Sequence, residues 1–125
     1  MNNVVEMVPL NEDRLDELLP RPKGYHVLVV MPEVEELFET GLIKADTTKR
    51  QEMIMGMTAL VLELGPDAYQ DKSKFPSGPW CKEGDYVLFR PHSGTRLQIG
   101  KREYRIINDD TVEAVVPDPR AIRRA

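Results

Sequence analysis

The chain has 125 residues, enough for one domain and not for two. Its hydrophobic fraction is 41%, and with Gly counted in place of Tyr it stays just under the roughly 45–50% usual for globular domains, so the core is small or part of the chain lies outside it. The 17 basic and 21 acidic residues leave a formal charge of −4, which argues against nucleic acid as the main ligand, and one cysteine excludes an intrachain disulfide or a cysteine-built structural zinc site.

Residues 1–10 lack a basic stretch followed by an apolar one, so no secretory signal is expected. No apolar run approaches the ~20 residues needed to cross a bilayer. With a lone cysteine, the expectation is a soluble protein of the reducing cytoplasm.

Residues 1–24 read as an N-terminal extension. Leu15, Leu18 and Leu19 follow helical spacing behind a possible Asn11 cap, and Pro20 and Pro22 end the pattern. Residues 25–31 form a β-branched apolar run stopped by Pro32, which predicts a strand. Residues 33–52 then turn polar and glutamate-rich. Gly41 interrupts any helix built on Val34, Leu37 and Phe38, and a structureless stretch of this length inside a compact domain is normally functional or disordered.

Strand character returns over residues 53–64, with Met53, Met55 and Met57 alternating as on one face, and stops at Gly65-Pro66. Residues 67–82 are turn-rich and polar around Phe75 and Trp80. They read as an irregular surface excursion outside the core. Four further strands follow over residues 85–90, 95–99, 103–107 and 111–116, joined by tight turns at Gly94, Gly100 and Asn108-Asp109-Asp110. Residues 117–125 are a short tail with Arg120, Arg123 and Arg124. Several short strands with tight turns predict an all-β barrel or sandwich.

Candidate chemistry is sparse. His26 falls inside a strand and His92 in a turn, neither with an acidic or thiol partner at ligand spacing. Cys81 has no neighbouring histidine and reads as an inert thiol. Asp109-Asp110 suits hairpin turn geometry. No phosphate-binding loop, dinucleotide fingerprint, zinc helix or nucleophile elbow is present, so no enzyme activity and no cofactor are expected. The feature without a ready explanation is Leu42-Ile43 inside a polar stretch. These two side chains either tuck back onto the barrel or present a small apolar anchor to a partner.

Taken in order, several motifs resemble the GroES-family co-chaperonins (chaperonin 10). The most specific is the stretch from Gly100-Lys101-Arg102-Glu103-Tyr104 through Asp109-Asp110 to Ala114-Val115-Val116, similar to the family's closing pattern. Gly84-Asp85-Tyr86-Val87-Leu88-Phe89, Ser93-Gly94-Thr95 and Leu64-Gly65-Pro66 match further family elements. The resemblance runs over about residues 21–116. It implies a small GroES-like, partly open β-barrel over residues 25–116, with a long mobile loop at 33–52.

The resemblance also implies a mechanism. Gly41, Leu42 and Ile43 fall where the family's loop docks on a GroEL-type chaperonin ring, and Asp46-Thr47-Thr48-Lys49 resembles the sequence that follows there. Thr40 replaces a glycine and Lys44 replaces a third apolar residue, so the anchor is thinner. Residues 67–82 diverge from the family's roof hairpin, and such departures resemble bacteriophage-encoded co-chaperonins. The family pattern implies a homoheptameric ring closed by terminal strands, with Tyr25, Val27 and Val29 on one side and Val112, Ala114 and Val116 on the other. It implies an encapsulated client protein and ATP used by the chaperonin partner, with no nucleic acid and no membrane. The competing expectation is a structural or assembly β-barrel, such as a phage head-associated protein, using the same loop for protein contacts.

Overall fold

The computed structural model of the chain describes residues 15–32, 57–122 and 125. Six strands make up the sheet: β1 (His26–Val30), β2 (Thr58–Leu64), β3 (Tyr86–Leu88), β4 (Thr95–Ile99), β5 (Arg102–Asn108) and β6 (Ala114–Val116). They lie in the order β4-β5-β1-β2-β3-β6, and every neighbouring pair is antiparallel. The outermost strands β4 and β6 do not pair with each other, so the all-β architecture is an open sheet. Ahead of it, α1 (Leu15–Leu18) is a single helical turn, and residues 11–14 of the expected helix lie outside the described residues.

β1 forms because five consecutive apolar, mostly β-branched side chains follow His26, and Pro32 stops the run. It is buried on both faces. Val27 and Val29 join Ala59 and Val61 of β2, Val87 of β3, Phe89, Ile107 of β5 and Val112 in the main core. Leu28 and Val30 point the other way, against Tyr104, with Leu60, Leu62, Leu97, Ile99, Ile106 and Leu19 half-buried around them. Such two-sided burial explains why β1 reads as an unbroken apolar run rather than an alternating one.

The β1–β2 register slips by one residue between Leu28 and Val29, so Leu28 faces Glu63 while Val29 faces Val61. The extra residue is a β-bulge, which bends and twists the strand locally. It also changes which way the strand's end faces. Leu60 and Leu62 lie with the second cluster, but Leu64 packs on the main core. Just beyond, Gly65 has no room for a side chain, because a Cβ would stand 2.4 Å from the Gly24 carbonyl oxygen.

Residues 67–82 correct the expectation of a surface excursion. Ala68, Tyr69, Phe75 and Cys81 are buried in the main core, with Phe75 edge-on to Tyr69 and to Trp80. What holds this segment is a two-point clasp on Asp109. The Tyr69 N–H donates to the Asp109 carboxylate at 3.0 Å, and the Tyr69 hydroxyl donates to the Asp109 carbonyl at 2.8 Å. Tyr69 takes a φ of 60°, rare for a side-chain-bearing residue, to make both contacts. The expected strand over residues 111–116 is shorter for the same reason. Asp109–Thr111 is a 3-10 turn tied to Tyr69, and pairing resumes with the Glu113 N–H on the Leu88 carbonyl at 2.8 Å.

Two substitutions are expected to move stability in opposite directions in urea denaturation. Tyr69→Phe leaves a buried carbonyl without its donor and lowers stability by about 1–2 kcal/mol. Thr58→Val raises it by about 1 kcal/mol, since Thr58 is 1% exposed and its hydroxyl has no partner among the described residues.

Candidate functional site

The chain leaves the sheet after β1 at Pro32 and returns at Met57 before β2. Because Val30 faces Leu60 across an antiparallel pair, these two points sit side by side at one end of the central strands. Both are held firmly. The Met31 N–H donates to the Glu103 carbonyl at 2.9 Å, and the Met31 carbonyl accepts from the Arg102 guanidinium at 3.2 Å. The Met57 carbonyl accepts from the Phe89 N–H at 2.8 Å, and Met31 is buried. The segment between them, which carries Gly41, Leu42 and Ile43, lies outside the described residues.

Beside Met31 lies an ion-pair network centred on buried Arg105 that the sequence alone did not reveal. Arg105 is 2% exposed, donates to the Glu103 carboxylate at 2.8 Å, and binds the Pro91 carbonyl and, at 3.3 Å, the Ser93 carbonyl. Its guanidinium carbon stands 5.8 Å from the Phe89 ring centre. Arg96 on β4 closes the pair from the other side, with two bonds to Glu103 at 2.9 and 3.1 Å. Burial works to raise the Glu103 carboxyl, but the bonds from Arg96 and Arg105 outweigh it and hold it below its usual value. The only signal in the sequence was Arg96 on β4 and the charges Arg102, Glu103 and Arg105 on β5, which is also what a solvated face shows.

The expected interface residues fall into two groups. Val27 and Val29 are wholly buried in the chain's own core, and β1 is paired on both edges, by β5 and by β2. Along His26–Val30 this strand therefore has no open edge within the sheet. Tyr25, just before it, is half-exposed, with its ring centre 4.7 Å from that of His26 and tilted against it. On the other side, β6 is a sheet edge. Val112 and Val116 turn inward, while Ala114 and Val115 are exposed. An edge that carries exposed apolar side chains is suited to pairing with another chain.

A cavity of about 490 Å³ opens where Asp67, Asp71, Asp109 and Asp110 converge with Tyr25 and Lys74. Three of these carboxylates are engaged structurally. Asp109 holds Tyr69, Asp110 takes the Lys74 ammonium at 2.6 Å, and Asp71 accepts from the Ser73 hydroxyl and backbone N–H. Among the described residues no group of three His, Cys, Asp or Glu side chains could hold a metal ion. Burial pushes the Cys81 thiol up, so it is protonated at neutral pH, with its sulfur 3.4 Å from the Tyr69 hydroxyl. No helix among the described residues is long and apolar enough to cross a membrane.

The chaperonin 10 kDa subunit family matches residues 20–116, which include all six strands. The chain is similar, at 35% identity over 98 residues, to the co-chaperonin GroES of Caldicellulosiruptor saccharolyticus, with 78% of this chain and 97% of that one covered. It is 31% identical to the co-chaperonin GroES of Methylacidiphilum infernorum over 97 residues, covering 77% and 92%. It is 27% identical to that of Staphylococcus carnosus over 96 residues, covering 77% and 97%.

The Glu103 network makes stability acid-sensitive. Its folded carboxyl lies below the ordinary value of 4.5, so its contribution is complete above about pH 4.5 and is lost as pH falls through the folded value. Thermal unfolding measured from pH 7 down to pH 3 is expected to show this loss, and Glu103→Gln to flatten that part of the profile while lowering Tm at pH 7.

Proposed function

Because this chain belongs to the chaperonin 10 kDa subunit family, we propose that it is a co-chaperonin that caps a GroEL-type ring and encloses a client protein for folding. The observation that carries this reading is the family match across the whole sheet together with the anchoring of residues 33–56. Their two ends leave from adjacent, hydrogen-bonded positions on the central strands. A segment with such ends can reach a partner while the sheet holds its position.

Gly41, Leu42 and Ile43 are the proposed contact. Burying Leu42 and Ile43 contributes about 1.5–3 kcal/mol each, and ordering the segment costs a comparable amount, so one arm binds weakly. Weak arms become effective when several are linked in one ring, and a lid that must leave in each cycle gains from individually weak contacts. A homoheptameric ring working in the cytoplasm fits this role. The exposed edge of β6, with Ala114 and Val115, supports ring assembly by pairing with a neighbour. ATP hydrolysis belongs to the chaperonin, so the role asks no catalysis and no cofactor of this chain.

Native mass spectrometry is expected to give a closed oligomer near seven chains, and a monomer would overturn the lid mechanism. The protein is expected to alter the ATPase rate of a bacterial chaperonin. Leu42→Asp with Ile43→Asp should abolish that effect, weakening binding at least tenfold while leaving the native mass unchanged. An intact effect in this variant would rule out the loop contact and favour a structural assembly role.

A further inference from the structure

The sheet has a second apolar face that the described residues leave half covered. Leu60 and Leu62 of β2, Leu97 and Ile99 of β4, and Ile106 of β5 are all partly exposed there around buried Leu28, Val30 and Tyr104. This face runs across β4, β5, β1 and β2, one side of four adjacent strands. Among the described residues, one from outside the sheet packs on it. Leu19, immediately after α1, joins the cluster, whereas Leu18 beside it is 45% exposed.

We propose that residues 4–10 of the same chain form a strap that covers this face. The chain is already at the face when it enters the described structure, because Leu19 is seated there. Upstream of α1 lie Val4, Val5, Met7, Val8 and Leu10, with Glu6 as the one charged residue among residues 1–10. Four adjacent strands span about 14 Å at ~4.8 Å per step, and 14 extended residues reach about 46 Å at ~3.3 Å each, so the segment is long enough to cross. The extension also lies outside the family match, which begins at residue 20, so family sequence constraints do not account for its apolar character. An apolar face of this extent, if left open, would attract other protein. A strap carried on the same chain covers it at high effective concentration.

The test uses the full-length chain with Leu97→Cys, labelled with a benzophenone maleimide. Cys81 is 4% exposed and stays unlabelled. On irradiation, adducts mapping to residues 1–14 within a product of one chain mass are the expected result. The same adducts in a two-chain product would place a neighbour's segment there, and adducts elsewhere would assign the face to another occupant; either overturns the proposal. As an independent measure, Val4→Glu with Val8→Glu in the Leu97→Cys background should raise the maleimide labelling rate at least fivefold at unchanged native mass. An unchanged rate would overturn the strap.

Discussion

The structure depends on β1 being enclosed on all four sides. Its backbone is paired along both edges, by β5 and β2, and its side chains are buried on both faces of the sheet. No other described strand is buried at four consecutive positions. Val27 and Val29 belong to the main core and Leu28 and Val30 to the second cluster, so four consecutive residues contribute to both apolar layers. A strand held this way supplies a fixed base for whatever leaves its two ends, which are the N-terminal extension and residues 33–56.

The remaining parts are fastened to this base by polar contacts as well as by apolar burial. Arg105 ties β5 to the turn at Pro91 and Ser93 and is neutralised by Glu103, which also meets Arg96. Asp109 holds residues 67–82 against the core through both its carboxylate and its carbonyl. A small core cannot fix long connections by burial alone. Well-bonded buried polar groups add directional constraint, and their loss is costly because each leaves a partner unsatisfied.

The positions of the strands were largely readable from residue type. Valine-rich and alternating segments bounded by Gly, Pro and Asn-Asp marked five of the six to within a few residues, and motif order pointed to the family that the comparisons then showed. The candidate contact was readable in another way, as an apolar pair stranded in a polar stretch. Residues 67–82 were misread because their composition is that of a loop. Tyr69 and Phe75 are too widely spaced for either helical or strand periodicity, and nothing local announces that Asp109, 40 residues away, will hold them.

By itself, the sequence determined an all-β fold with a long connection between its first two strands. Those features follow from local chemistry: β-branched runs, turn residues and the spacing between them. Only the tertiary structure decided that Leu64 turns into the core while Leu60 and Leu62 do not, since that depends on a one-residue slip against β1. It also decided that β1 is interior and β6 an edge, and that Asp109 is a buried clasp rather than a hairpin tip. Each is a matter of which distant segment lies alongside. Residue type limits what a side chain can do, but strand order and register decide which partner it meets.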